Sequence, residues 1–398
     1  MTSRRQRALG PSTVAAVGLV ALAIAMGIGR FAFTPILPMM QEDAGLSVAA
    51  GGWLASANYL GYLAGAMWAV RLRLAPTTAI RLGLVLIAAS TFVMGFGSSF
   101  AAWALWRTLA GIASAWVLVF VSAWAFGRLA QLGRPRLSGV VFAGVGTGIM
   151  LAGGLCLVLM QHGVTSHAAW MAFGALSLVL TLLIWPAFGG RNAGGSAKTP
   201  ADSEGTRFVW SADALRVVLC YGAFGFGYII PATFLPAMAK QIVPDPLVFG
   251  WSWPAFGAAA AASTLAAIWL QRRFSHRGIW IAAQIALGVG VVLPVLRPGI
   301  GAILLAALLV GSTLTLITLV ALQEGRAIAG AHATRLIAVM TAAFAVGQVA
   351  GPVAASLAIA VTGSLSAALV LAGAVIAAST AGLFLGRRTL PVHSTAAE

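Results

Sequence analysis

The chain has 398 residues, of which 60% are hydrophobic and only 8% are charged. A soluble domain carries roughly 25% charged residues, so this composition excludes an ordinary water-soluble protein and predicts one that lies mainly in lipid. The net charge of +16 would suggest nucleic-acid binding in a soluble protein. Here the basic residues fall in short connections between apolar runs, so they indicate membrane topology and no nucleic-acid partner is expected. The two cysteines, Cys156 and Cys220, are too few for a disulfide framework.

Twelve apolar runs are long enough to cross a membrane, which takes about 20 residues. Because backbone groups in lipid must be satisfied within their own segment, each run is predicted to be a helix. The first run follows the basic stretch "MTSRRQRALG" and continues past Met26 without a signal-peptide cleavage site, so we expect it to remain as the first span. In chain order the predicted spans are 12–40, 49–70, 77–97, 101–127, 138–160, 167–188, 212–239, 247–271, 278–296, 300–324, 335–361 and 364–386.

The basic residues are distributed unevenly over the two ends of these spans. All but four of the 24 lie in the termini and in the connections on one side. The opposite side holds only Lys240 and Arg297, and the remaining two, Arg30 and Arg107, lie within spans. The positive-inside rule makes the basic side cytoplasmic. We therefore expect a multi-pass protein of the bacterial cytoplasmic (inner) membrane with both termini in the cytoplasm.

The longest polar stretch, 189–211, divides the spans into six and six, and its Gly, Ser and mixed charges are typical of a flexible linker. The sequence predicts an N-terminal six-helix bundle at 1–188, a cytoplasmic linker at 189–211 and a C-terminal six-helix bundle at 212–398. A shift of 198 residues indicates an internal repeat. It superimposes identical residues, among them Gly27 on Gly225, Leu37 on Leu235, Pro38 on Pro236, Gly52 on Gly250 and Gly127 on Gly325.

Six helices repeated in parallel resemble the architecture of the major facilitator superfamily of transporters. The stretch "GIGRFAFTPILPMMQEDAGLS", followed by "GGWLASANYLGYLAGA", resembles its YbfB/YjiJ-like branch, and "RTLAGIASA" resembles the arginine pattern of the superfamily's fourth helix. At "GAMWAVR" the sequence departs from the superfamily, because Ala69 stands at a usually acidic position, so the gating salt bridge of that residue is not expected. The resemblance implies an all-α membrane protein of twelve transmembrane helices in two pseudo-symmetric bundles. It also implies a monomeric secondary transporter, surrounded by lipids, that binds a small molecule between its halves and works by alternating access.

Arg30 and Arg107 are the two basic residues deep inside the predicted spans, and none of the eight acidic residues lies deep in a span. An ionisable residue within a membrane span is a functional candidate by default. A guanidinium without an acidic partner binds carboxylates or phosphates through two parallel hydrogen bonds. The pair therefore predicts an anionic substrate. For Arg107 an alternative stays open, in which it bonds carbonyl groups freed at the kinked end of span one.

Five further residues are candidates for the substrate site, namely Asn58, Tyr59, Tyr221, Tyr228 and Gln348. Tyr228 is the counterpart of Arg30 under the 198-residue shift, whereas Asn58 and Gln348 have the alternative role of hydrogen bonds between helices. Prolines within spans one and seven predict helix breaks. These breaks either bend as the outer mouth closes or are static kinks, and they involve Pro35, Pro38, Pro231 and Pro236.

Neither a phosphate-binding loop nor metal-ligand spacing occurs in the sequence, so no cofactor or metal is expected and ion or solute gradients must supply the energy. One alternative function is a proton-linked efflux pump for hydrophobic or drug-like compounds, although the buried acid common in such pumps is missing. A second is an intramembrane enzyme, which would need His, Asp or Glu at depth. A third is a sensor without transport, which would normally need an appended soluble domain.

Overall fold

The computed structural model describes residues 9–69, 72, 74–189, 210–243 and 245–385 of the chain. Among these residues no β-strand occurs, and nearly all lie in helices. The predicted linker, apart from its ends, and the predicted positions of both termini fall outside the described residues. The α-helices are α1 (Pro11–Leu22), α2 (Phe33–Asp43), α3 (Val48–Ala69), α4 (Pro76–Val93), α5 (Phe100–Gln131), α6 (Ser138–Gln161), α7 (Ser166–Ile184), α8 (Ala212–Ile242), α9 (Pro246–Phe249), α10 (Ser252–Leu270), α11 (His276–Leu296), α12 (Ile300–Ala329), α13 (Ala333–Thr362) and α14 (Ser366–Phe384).

The described helices form twelve membrane-crossing segments. Ten are long and apolar enough by length and composition alone, and the first of these, Pro11–Asp43, contains both α1 and α2. The other two, α3 and α10, have 22 and 19 residues, which at 1.5 Å per residue suffices for a hydrocarbon core of about 30 Å. Both pack against the other half of the molecule, α3 on α13 and α10 on α6. The glycine- and alanine-rich surfaces of α3 and α10 therefore form contacts with other helices. The predicted twelve-helix, all-α fold is confirmed.

The first span is not one continuous α-helix. Residues Ala23–Phe31 form a π-helix between α1 and α2. We predicted the break at Pro35 and Pro38, but Pro38 lies inside α2, and the irregular turn precedes both prolines. A proline ring clashes with the carbonyl group four residues back, and for Pro35 that residue is Phe31, where the π-helix ends. The prolines thus affect the preceding turn.

Span seven shows no interruption at its prolines, because helix α8 runs through Pro231 and Pro236. A kink at either proline stays a prediction. Pro236 cannot donate a hydrogen bond to the carbonyl of Ala232, but the hydroxyl of Thr34 in the other half donates to that oxygen at 3.0 Å. A neighbouring helix thus satisfies the freed carbonyl, which allows the helix to continue through Pro236. A bending of these helices during transport remains a prediction.

Span eight was predicted as one helix over 247–271 and instead begins with the separate turn α9. Asp245 caps α9 by accepting a hydrogen bond from the backbone amide of Leu247. Pro254 lies in the first turn of α10, where a missing amide donor leaves no helical hydrogen bond broken. Two local start signals within ten residues therefore divide the segment.

Small residues let the two halves approach closely. Gly146 of α6 faces Gly257 of α10, and a Cβ atom on Gly146 would lie 2.8 Å from the Gly257 carbonyl oxygen. Within the first half, a Cβ on Gly27 of the π-helix would lie 2.6 Å from the Cα of Gly148 in α6. Backbone contacts of this kind are typical of helix association in membranes.

The bundle has two ends, which we call the Pro11 face, where α1 begins, and the Glu42 face, where α2 ends. Within the described part of the chain, side-chain hydrogen bonds between the halves lie from mid-bundle to the Glu42 face. The Nζ of Lys240 contacts a carboxylate oxygen of Glu42 at 2.7 Å and the carbonyl oxygen of Pro38 at 2.8 Å. The halves are therefore joined at the Glu42 face.

Candidate functional site

Polar side chains from α3 and α5 donate hydrogen bonds to backbone carbonyls in the π-helix of span one. Ser114 donates to the carbonyl of Ala25 at 2.8 Å. Asn58 donates from Nδ2 to the carbonyl of Gly29 at 3.2 Å and also to that of Arg107 at 2.8 Å. A π-helix inside a span is thus stabilised by contacts with other helices, and such segments often occur at functional sites.

Arg107 completes this network. Its Nη1 donates to the carbonyl oxygen of Gly29 at 3.3 Å and its Nη2 to that of Arg30 at 2.8 Å. The side chain is 2% exposed, and its guanidinium carbon lies 5.0 Å from the ring centre of Phe33. These contacts match the alternative role of Arg107, in which it bonds carbonyl groups at the kinked end of span one. Direct contact between Arg107 and a substrate remains a prediction.

Arg30 is equally buried but bonded differently. It is 3% exposed, and its Nε and Nη2 atoms have no hydrogen-bond acceptor among the described residues. No described carboxylate forms an ion pair with it. These two nitrogens form the side edge of the guanidinium, which is an edge that can hold a carboxylate by two parallel hydrogen bonds.

Three aromatic rings surround the Arg30 guanidinium. Its central carbon lies 4.1 Å from the ring centre of Tyr62, 5.1 Å from that of Tyr59 and 5.1 Å from that of Phe31. Cation–π contacts contribute about 0.5–2 kcal/mol each, so they offset part of the free-energy cost of burying the charge. The sequence interpretation included Tyr59 but missed Tyr62, although the three-residue spacing places both on one face of α3.

On the opposite half, α8 and α13 present a stack of aromatic rings. The rings of Tyr228 and Phe344 are 5.7 Å apart and 5° from parallel, and those of Tyr221 and Phe344 are 4.9 Å apart at 20°. Phe224 adds a fourth ring, 5.0 Å from that of Tyr228. The amide Nε2 of Gln348 donates to the hydroxyl oxygen of Tyr228. The structure thus brings the predicted residues Tyr221, Tyr228 and Gln348 together, with Phe224 and Phe344, which the sequence interpretation missed.

Contacts across the two halves follow the repeat found in the sequence. Thr34 bonds to the carbonyl of Ala232, its counterpart 198 residues later, and Glu42 pairs with Lys240, again 198 residues apart. Residues that contact their own counterparts lie on the pseudo-two-fold axis. Arg30 and Tyr228 lie four residues, or one helical turn, before the Thr34–Ala232 bond. They are therefore placed beside the axis, with Arg30 on one half and Tyr228 on the other.

Of the four candidate prolines, Pro35 and Pro231 are adjacent in sequence to the axis residues Thr34 and Ala232, and Pro236 follows one helical turn later in α8. Pro38, together with Lys240, lines a cavity of about 170 Å³ at the Glu42 face. Within the described residues no group of three or more His, Cys, Asp or Glu side chains has the arrangement of a metal site. Cys156 and Cys220 are both buried and unpaired with each other.

Comparisons with known proteins agree with the architecture. Residues 22–383 match the family described as "Uncharacterised MFS-type transporter YbfB". A curated relative from Bacillus subtilis (strain 168), the "Uncharacterized MFS-type transporter YceJ", is 29% identical over 217 residues, and this match spans 53% of the chain and only about half, 54%, of the relative.

Two solved structures share the fold. A mutant form of the nucleoside transporter NupG aligns with a TM-score of 0.72 at 14% identity, covering 93% of this chain and 99% of the other. A bacterial homologue of the human lysosomal transporter Spinster, in an inward-facing and occupied conformation, aligns with a TM-score of 0.70 at 16% identity, covering 94% and 96%. Both are membrane transporters and not enzymes, and at these identities the likeness shows the fold alone. With the family match covering most of its length, the chain belongs to the YbfB family of multi-pass transporters in the major facilitator superfamily.

Proposed function

We propose that this protein is a secondary transporter for a small organic anion, which binds between the two halves at Arg30. The observation that carries the proposal is the state of the Arg30 guanidinium. It is buried beside the pseudo-two-fold axis, and its Nε and Nη2 atoms have no acceptor among the described residues.

Free energy favours an anion at this position. Placing an arginine at the centre of a membrane helix costs about 2.5–3.5 kcal/mol, and the surrounding rings of Tyr59, Tyr62 and Phe31 offset this only in part. A carboxylate bound to the Nε and Nη2 edge supplies the missing charge and both missing acceptors. Arg107 already donates to two backbone carbonyls, so its role in the proposal is to hold the π-helix that carries Arg30.

Alternating access requires that the halves separate at one face while they meet at the other. The side-chain hydrogen bonds between the described parts of the halves support a state joined at the Glu42 face. We assign the Glu42 face to the outside of the bacterial inner membrane, because the basic connections lie at the other face. Both termini are then cytoplasmic, and the proposed state gives the substrate access from the cytoplasm in a monomeric protein.

The positions of the acidic residues bear on the energy source for transport. Proton-coupled transporters commonly use a carboxylate within a span, and the most buried described carboxylate, Glu324, lies near the Pro11 face in an ion pair with Arg277 at 2.9 Å. We therefore propose that the anion either carries its own proton or exchanges for a second anion.

A thermal-shift panel on the purified protein tests the proposal. The compounds are carboxylates, sulfonates, phosphate esters and neutral nucleosides, the last because NupG is named a nucleoside transporter. We expect anions to stabilise the wild-type protein and Arg30→Gln to abolish the shift. Arg81→Gln is the matched control, because the Arg81 guanidinium also lies on an aromatic ring, 4.7 Å from the ring centre of Trp185, but near the Pro11 face.

Two results would contradict the proposal. One is stabilisation by anions that survives Arg30→Gln unchanged. The other is stabilisation by neutral hydrophobic compounds alone, which would favour the efflux pump.

A further inference from the structure

The protein has four tyrosines, and all of them lie around the centre between the halves. Tyr59 and Tyr62 contact the Arg30 guanidinium. Tyr228 is the counterpart of Arg30 across the axis, and Tyr221 and Tyr228 both stack on Phe344. Tyrosines of membrane proteins are usually enriched at the two membrane–water interfaces. Their confinement to the interior here indicates a role at the substrate site.

The rings of the second half are arranged to receive a flat partner. Tyr228, Phe344 and Phe224 are neighbours within 5.0–5.7 Å, and none is more than 31° from parallel with another. Offset stacks of this kind are a preferred geometry of aromatic rings, and a further ring extends them favourably. Phe344 is only partly buried, unlike Tyr228 and Phe224, so part of its surface remains exposed.

This stack lies across the pseudo-two-fold axis from the cation. Tyr228 and Arg30 are counterparts under the repeat, each one helical turn from the hydrogen bond between Thr34 and Ala232. A ligand at this level therefore meets a guanidinium on one half and parallel rings on the other. The chemistry that matches both is a negative group joined to a planar ring.

Polar atoms at the edge of the aromatic stack indicate that the ligand also carries a polar substituent. Gln348 donates from Nε2 to the Tyr228 hydroxyl oxygen, while its own Oε1 has no donor among the described residues although the residue is buried. The phenolic proton of Tyr228 also remains available to an acceptor. A hydroxyl or amino substituent on the bound ring would satisfy the Gln348 oxygen.

We infer that the substrate is an aromatic carboxylate, with the carboxylate on the Nε and Nη2 edge of Arg30 and the ring on the stack formed by Tyr228 and Phe344. The preferred form carries a hydroxyl or amino group on the ring. This inference rests on the proposed function and narrows it from organic anions in general to one chemical class.

The test compares four probes on the full-length protein in nanodiscs by isothermal titration. These are benzoate, 4-hydroxybenzoate, cyclohexanecarboxylate, which has the charge but no aromatic ring, and benzyl alcohol, which has the ring but no charge. Stacking of this kind corresponds to about a threefold to tenfold gain in affinity. We expect benzoate to bind tighter than cyclohexanecarboxylate by that factor, 4-hydroxybenzoate tighter still, and benzyl alcohol much more weakly than either acid.

The ratio of the affinities for benzoate and cyclohexanecarboxylate is the decisive quantity in the variants, because a general loss of stability affects both acids alike. Tyr228→Leu brings the expected ratio to about one, and Phe344→Leu serves if Tyr228→Leu does not fold. Phe126→Leu is the matched control, since Phe126 stacks on Phe142 at 5.5 Å near the Pro11 face, and it leaves the ratio unchanged.

Each other outcome overturns a defined part of the reasoning. Equal binding of the two acids by the wild-type protein overturns the aromatic inference and leaves the anion site intact. Binding of benzyl alcohol as tight as that of benzoate, unaffected by Arg30→Gln, overturns the anion site itself. Failure of all the acids to bind overturns the aromatic-carboxylate inference, and it overturns the anion site as well if no anion of the thermal-shift panel stabilises the protein.

Discussion

Replacement of Arg30 by lysine and by glutamine separates charge from geometry at the proposed site. Lysine keeps the positive charge but offers a point charge in place of the side edge of a guanidinium. A hydrogen bond to a charged group contributes about 1.5–3 kcal/mol. If lysine retains one of the two bonds made by Nε and Nη2, anion affinity falls by about 10- to 150-fold. Glutamine loses both charge-assisted bonds, about 3–6 kcal/mol, and the affinity falls by at least about 100-fold.

The same structure predicts that the glutamine variant still folds. The charge on Arg30 has no described carboxylate partner, and the three aromatic contacts offset only part of its burial cost, so glutamine removes the remaining cost together with these contacts. We therefore expect the stability of the anion-free protein to change by no more than about 2 kcal/mol. Titration of a bound anion and thermal unfolding of the same preparations measure both quantities. Equal affinity in the arginine and lysine proteins would refute the role of the side edge, and unchanged affinity in the glutamine variant would refute the site.

Three further predictions concern the parts that position this site. Asn58→Leu removes two hydrogen bonds to carbonyls, one of them that of Arg107, and is expected to destabilise the protein by about 1–3 kcal/mol in thermal unfolding; an unchanged melting temperature would show that the π-helix holds without it. Glu42→Gln breaks an ion pair whose acid is 75% exposed, so the rate of hydrogen exchange at the Glu42 face should rise by no more than about fivefold. Lys240→Met also loses the contact with the carbonyl oxygen of Pro38 and should therefore have the larger effect. Gly146→Leu inserts a side chain where a Cβ alone would already overlap the backbone of α10, and we expect loss of transport from a protein that still elutes as a folded species; normal transport would show that the halves tolerate the separation.

The sequence by itself determined the membrane class, the twelve helices and the repeat. These follow from local properties, because length and hydropathy decide whether a segment enters lipid. The 198-residue shift, read from matched glycines and prolines, reappears in space as direct contacts between Thr34 and Ala232 and between Glu42 and Lys240. Arg30 could also be identified from the sequence, because a charged residue within an apolar run is recognised without any knowledge of its neighbours in space.

Only the tertiary structure decided what each conspicuous residue does. Arg30 and Arg107 look alike in sequence, but Arg30 has two donor atoms, Nε and Nη2, without acceptors, whereas Arg107 bonds to two carbonyls and leaves only its Nε without one. That difference depends on the π-helix, which is held by side chains from other helices. Tyr62 and Phe344 were missed for the same reason. The role of an aromatic residue in an apolar span depends on the rings and charges that packing places beside it, and the sequence does not show these neighbours.

The prolines show this division most clearly. Sequence predicts that Pro236 frees the carbonyl of Ala232, and it does. Whether the helix then breaks depends on whether another donor reaches that oxygen, and Thr34 does so from a residue 198 positions away. The chain determines which backbone groups lose their partners, and the packing of the two halves determines which of them find new ones.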